Sequence, residues 1–222
     1  MTVPTFQKGS FLVSLGIIVI SIVASTSVGI ITETWRGYLP NNTCLLYGSV
    51  SDTYSSEQYY GLHGSNVSNC DYVAFVPVLF IFVCLPLAIY YFIQAKGGKT
   101  DDGMVLLGIF CVCLVMSMLS IVQACMMSVG YATTCAAIRY ILIKNNMINI
   151  AGRPNETAIA FINSMDCKFH YDALDYFFNE EQSGVYTDTG LRIGSGSSWL
   201  IFILWFSLTG LTVGLIRQNR QG

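Results

Sequence analysis

Residues 104–135, MVLLGIFCVCLVMSMLSIVQACMMSVGYATTC, run without a single charged side chain. A helix rises 1.5 Å per residue, so about 20 apolar residues cross a hydrocarbon core about 30 Å thick. This run is long enough to cross a bilayer with residues to spare. Everything else in the chain reads as another span beside it or a loop between spans. The composition agrees: only 11% of the 222 residues are charged and 53% are hydrophobic, where soluble domains carry about 25% charged residues. With no Lys/Arg run and no basic face, nucleic acid is not an expected partner.

Residues 11–31 form a first uncharged run. It is longer than the apolar core of a cleavable signal peptide, which predicts an uncleaved helix. Ser21, Ser25 and Gly29 recur every four residues and put small side chains where another helix can approach. Residues 72–95 form a second span containing Pro77 and Pro86. Each proline removes a backbone donor, so each should bend the helix and leave a carbonyl for neighbouring helices to satisfy. The third span covers 104–131, and the fourth, 199–216, carries a GxxxG pair, Gly210 and Gly214. The expected fold is an all-α membrane protein, one four-helix bundle over 1–222, with two long polar loops at 32–71 and 132–198.

Four spans put both termini on one side and both long loops on the other. The tails and the short link before the third span sum to +3, and the long loops to −5. The positive-inside rule then makes the termini cytoplasmic. Three glycosylation sequons, at Asn41, Asn66 and Asn155, fall in the opposite loops. The predicted location is the plasma membrane, with N-linked glycans on the outer loops.

The eight cysteines divide the same way. Cys44, Cys70, Cys135 and Cys167 lie in the outer loops, two per loop; Cys84, Cys111, Cys113 and Cys125 lie in spans. Oxidising surroundings favour disulfides in the first set. Of three possible pairings, Cys44–Cys70 and Cys135–Cys167 are preferred, one bridge bracing each loop. The Cys111-Val-Cys113 pair invites a metal or redox reading, but residues two apart on a helix face different ways. No His or acid nearby completes a coordination shell, so packing is the expected role.

Gln123 is the one strongly polar side chain inside the third span, and a bond to a neighbouring helix is its expected use. The span cores contain no Asp, Glu, Lys, Arg or His, which argues against a pump or transporter acting alone. His63 and His170 are expected to be solvated or partner-facing. In the segment DCKFHYDALDYFFNEEQ, Phe169, Ala173 and Phe177 recur at helical spacing amid Asp172, Asp175, Glu180 and Glu181. This predicts an amphipathic helix with a solvated acidic face, since the alternation of an EF-hand calcium loop is missing. No nucleophile–base pair, phosphate loop or carboxylate pair can be assembled, so neither an enzyme nor a cofactor is expected.

Cys44-Leu45-Leu46, Cys70 just before the second span, Ser128-Val129-Gly130-Tyr131 ahead of Cys135, then Cys167, Tyr186 and Ser198-Trp199 follow one another in order. This ordered set resembles the transmembrane protein 179 family of four-span proteins. The chain departs from that pattern in a longer second loop, around 138–163, and in lacking an extended cytoplasmic tail. The resemblance implies a four-span plasma-membrane protein with paired loop cysteines and no established catalytic activity. A looser architectural likeness links it to claudins and claudin-like channel subunits: Trp35-Arg36-Gly37 is present, but the second Trp of the claudin signature is not.

The leading expectation is therefore an accessory subunit packed beside another integral membrane protein, a channel or receptor, among lipids. Trp35, Phe169, Phe177 and Tyr186 are its candidate partner contacts. The alternatives are a junction protein whose loops meet a facing cell, and a homo-oligomeric pore drawing on Ser117, Ser120 and Gln123.

Overall fold

A computed structural model describes residues 3–39, 43–50, 62–97, 103–144, 164–178 and 186–219. These form helices α1 (Val3–Tyr38), α2 (Val67–Gly97), α3 (Gly103–Lys144), α4 (Cys167–Phe178) and α5 (Thr187–Asn219), with strands β1 (Cys44–Val50) and β2 (Leu62–Ser65) between α1 and α2. Helices α1, α2, α3 and α5 are each long and apolar enough to cross a membrane. The protein is a multi-pass, four-helix membrane protein.

The helices outrun the apolar runs that announce them. α1 ends at Tyr38 rather than near 31, and α2 begins at Val67 rather than 72. α3 continues to Lys144, and α5 begins at Thr187 rather than 199. The Gly/Ser run at 194–198, placed by the sequence at the end of the second loop, is therefore helical. Helix ends follow caps and packing, which override intrinsic propensity. Lipid thickness bounds only the apolar middle.

The chain divides into two compact units. One comprises Met1–Thr26, Val73–Cys125 and Gly194–Gly222. Its core gathers Ile17, Phe80, Cys84, Tyr91, Leu106, Cys113, Trp205 and Leu208, with Phe80 edge-on to Trp205 at 5.9 Å. Phe75, Phe82, Met118 and Phe206 point outward, each more than 60% exposed. Water would not tolerate such a belt; lipid would. Buried hydroxyls turn back on their own helix: Ser14 donates to the Ser10 carbonyl at 2.9 Å, Ser117 to Cys113 at 2.9 Å and Thr212 to Leu208 at 2.8 Å.

In this unit Pro77 has a consequence for its neighbours. Lacking an N–H, it leaves the Val73 carbonyl, four residues earlier, without its helical donor. Gln123 of α3 supplies one instead, its Nε2 lying 3.4 Å from the Val73 oxygen. Ser25 of α1 donates to the next carbonyl, Ala74, at 2.9 Å. The polar side chains of two neighbouring helices thus converge on one proline-opened turn of α2.

The other unit comprises Ser27–Tyr72 and Met126–Ile193. Here β1 pairs antiparallel with β2, Cys44 opposite Ser65 and Ser49 opposite His63, with a break in register between. This sheet is the departure from a wholly helical expectation. A bulged strand containing Gly48 and Ser49 shows no two-residue alternation for the sequence to display. Tyr47 sits inside the break at φ 61°, a left-handed conformation uncommon outside glycine. Thr134 of α3 holds the break together: its hydroxyl accepts from the Gly48 N–H at 3.1 Å and donates to the Leu45 carbonyl at 2.8 Å. Ser65 donates to the Leu46 carbonyl. A Cβ on Gly130 would lie 3.1 Å from Leu46 and Tyr47, so the strand rests directly on bare helix backbone.

Candidate functional site

The functional surface of such a protein is built where its loops are tied down, and both loop ties are disulfides. Cys44 joins Cys70 and Cys135 joins Cys167. The second bridge holds α4 against α3. It brings a set of polar side chains together that are far apart in the chain.

Tyr131 of α3 and Tyr171 of α4 stack at 5.2 Å with rings 19° apart. The Tyr171 hydroxyl donates to the Tyr131 carbonyl at 3.1 Å. The Tyr131 hydroxyl donates to Asp188 Oδ1 at 2.6 Å. Asp188 lies in the first turn of α5, where the helix dipole favours a carboxylate. Arg192, one turn on, donates from Nε to Asp188 Oδ2 at 2.9 Å and to the Tyr131 oxygen at 3.2 Å. Asp166 stands 3.9 Å from the same guanidinium.

Beside this group, Asp175 of α4 caps α5 from outside the helix. It accepts the Thr187 N–H at 2.9 Å and the Thr187 hydroxyl at 2.6 Å. The indole N–H of Trp35, from α1, donates to the Thr187 oxygen at 2.8 Å. Burial pushes the Asp175 carboxyl above the usual carboxylate range; the Thr187 bonds oppose this, and Asp172 and Asp188 add to it. The Tyr171 phenol is likewise pushed up, by burial first and Tyr131 next. At the start of α2, Asn66 Oδ1 accepts from the Ser68 N–H and hydroxyl at 3.0 Å each, an N-cap. Arg36 of α1 reaches Asp71 at 2.8 Å.

Several expectations change. Trp35, expected on a partner-facing surface, is 2% exposed because its indole is committed to Thr187. His170, expected to be solvated or partner-facing, is buried within its own unit, edge-on to Phe169. The acidic face of α4 is only partly solvated, since Asp175 is spent on capping α5. Among the described side chains of α4, His170 and Tyr171 are buried, while Phe169 is exposed. Tyr186 is 70% exposed, and Phe177 lies in α4. Asn66 is exposed; Asn41, Asn155, Glu180 and Glu181 lie outside the described residues.

The small-residue positions also separate. Ser25 and Gln123 contact α2 as described, Ser21 is buried, and a Cβ on Gly214 would sit 2.7 Å from the Phe6 ring. Gly29 and Gly210 face open space, so neither marks a close helix approach. The sequence motif overlooked Gly190, whose Cβ would lie 2.7 Å from Ile31. Its place in a Gly/Ser-rich stretch disguised it. Ser117, Ser120 and Gln123 are all buried, with their bonds made inside the bundle. Cys111 is exposed and Cys113 buried, on different faces. Among the described residues no group of three or more His, Cys, Asp or Glu is placed to hold a metal ion.

The family model for the Transmembrane protein 179/179B Claudin domain matches residues 9–150, which include α1, both strands, α2 and α3. No curated protein and no solved structure matches the chain.

Proposed function

The chain belongs to the transmembrane protein 179/179B claudin-domain family, and from that premise we propose that it is a non-catalytic accessory subunit packed beside an ion channel or receptor in the plasma membrane. One observation carries the reading. The charged and phenolic groups gathered around Asp188 and Thr187 bond to one another, so they stiffen the loops rather than present reactive groups. Three aromatic side chains turn outward from that braced framework: Phe169, Tyr140 and Tyr186. Aromatic residues on a rigid base suit recognition by another protein.

The topology in this proposal puts both termini in the cytoplasm and both loops outside. Asn66 supports it, because an exposed sequon asparagine needs a glycosylating compartment to be used. Purification of tagged protein in mild detergent, followed by mass spectrometry of co-purifying proteins, tests the subunit role. A stoichiometric integral membrane partner, lost in a Phe169→Ala/Tyr186→Ala variant that still folds, is the expected result. Recovery of no such partner, or clustering of cells that express the protein alone, would replace it with the adhesion reading.

A further inference from the structure

At one end of the unit built around Trp205, α1 and α2 run side by side in opposite directions, Ser25 beside Ala74 and Phe11 beside Phe92. The Phe11 and Phe92 rings lie 5.4 Å apart, centre to centre. Lys8 stands one turn beyond Phe11 and Lys96 one turn beyond Phe92, both toward the same end of the unit. At 1.5 Å per residue the two positions are about 4.5 Å and about 6 Å past the rings, so they stand nearly level. Both lysines are exposed. The Lys96 Nζ lies over the Phe92 ring, 4.4 Å from its centroid, a cation–π contact that holds the charge beside the α1–α2 groove. Toward the middle of the helices the same two surfaces turn apolar, with Leu12 and Ile89 exposed. The described residues of this unit contain no Asp or Glu. Two cations therefore share one level with no described carboxylate to answer them; Asp101 and Asp102 lie outside the described residues.

We propose that this groove binds an anionic glycerophospholipid, its phosphate between Lys8 and Lys96 and its acyl chains along Leu12 and Ile89. Charge selects this occupant from the lipids that cover the rest of the bundle. Around Phe75, Phe82, Met118 and Phe206 the exposed belt is apolar, and any lipid satisfies it. At the groove two like charges repel, and a headgroup of net negative charge relieves the repulsion, whereas a zwitterionic one brings a cation of its own. A phospholipid supplies the acid and the apolar chains from one molecule, each at the depth where it is needed. Basic positions between membrane helices bind acidic headgroups in this way. The topology proposed above decides only which leaflet supplies the lipid: with the termini cytoplasmic, it is the leaflet rich in phosphatidylserine.

Native mass spectrometry of the full-length protein reads the preference. The protein is purified in mild detergent and given equal amounts of phosphatidylserine and phosphatidylcholine with the same acyl chains. The wild type should retain phosphatidylserine over phosphatidylcholine. A cation near an anionic headgroup contributes about fivefold, so Lys8→Gln and Lys96→Gln should each lower the ratio about fivefold, and the double variant about 25-fold. Arg217→Gln removes the same charge from the last turn of α5 and should leave the ratio where it was. Lys8→Glu, which offers Lys96 a carboxylate across the groove, should abolish the preference without lowering the unfolding temperature. Inorganic phosphate in excess should not displace the lipid. Equal loss through Arg217→Gln would mean attraction to overall charge alone, and would overturn the proposal. So would displacement by inorganic phosphate, which would mark an anion site that takes no lipid. No preference in the wild type, or an unchanged ratio in both lysine variants, as pairing with Asp101 or Asp102 would give, would overturn it too. Binding in detergent has no sidedness and needs no partner protein, so its failure is distinct from a failure of the topology or of the subunit role.

Discussion

In the unit built around Trp205 most serine and threonine hydroxyls that bond do so within their own helix: Ser14, Ser117 and Thr212 each reach back one turn, although Tyr91 also crosses to Thr212 and Ser25 to Ala74. In the unit built around Thr187 the satisfying partner comes from far along the chain, as when Thr134 serves Leu45 and Gly48, or Asp175 serves Thr187. The difference follows from what each must survive. An element inserted into lipid needs its polar groups closed before it finds a neighbour. A loop fold has no such constraint, and gains its single structure by linking distant segments. Local closure makes the first unit tolerant; distant closure makes the second specific, and easier to break.

The largest effect should come from removing a distant link outright. Cys135→Ala/Cys167→Ala opens a loop with a sequence separation of 32, at about 3.5–4 kcal/mol in the chain-entropy model. Hydrogen exchange should show α4 amides losing protection while those around Trp205 keep theirs. Simultaneous loss in both units would erase the contrast drawn here. Next is Gly190→Leu, whose added side chain meets the buried Ile31 and should cost about 1–3 kcal/mol. Gly210→Leu, in open space, should leave the unfolding midpoint in detergent where it was.

Asp175→Ala removes the acceptor for both Thr187 donors and should cost about 1–2 kcal/mol, as loss of a helix cap does. Its titration has a definite sign. Because the folded carboxyl holds its proton more tightly than the unfolded one, stability falls as pH rises from the ordinary carboxylate range through the raised folded value, then levels off. Asp175→Asn, uncharged throughout, should flatten that slope in thermal unfolding measured across pH. A slope of the opposite sign would mean the Thr187 bonds outweigh burial.

Gln123→Leu should cost about 1 kcal/mol, the scale of hydrogen bonds between membrane helices. The loss is moderated because Oε1 of Gln123 is itself buried without a partner. The cost should shrink in a Pro77→Ala background, where residue 77 regains its N–H and returns a donor to Val73. A double-mutant cycle reads this coupling directly; additive losses would show that the proline and the glutamine act apart. The smallest effect separates two uses of one residue. Asn66→Ser keeps a capping oxygen and should leave stability within a few tenths of a kcal/mol, yet should remove one glycan, read as a step in gel mobility.

How much of this was legible follows the same division. Charge-free runs marked the membrane helices because apolar residues must face lipid wherever the helix goes. The cysteines marked the bridges because two fell in each loop. The role of Gln123 was half visible: its polarity implied a partner, and Pro77 lay in plain sight as the origin of one. What stayed hidden was whatever distant contacts determine. Thr187 starts a helix with Asp175 reaching it, and Gly190 fits because a bare backbone there meets Ile31. Trp35 is buried because its acceptor arrives from the far end of the chain. His170 turns inward with Tyr171, which no spacing rule applied to α4 alone would select.

The bond from Trp35 to Thr187 spans 152 positions of sequence and so has a meaning for biosynthesis. The indole is made well before its acceptor. A product halted before residue 187 lacks the Thr187 hydroxyl that accepts from Trp35 and donates to Asp175. The brace at Thr187 can therefore close only after both segments exist, so it forms late in the folding of this unit.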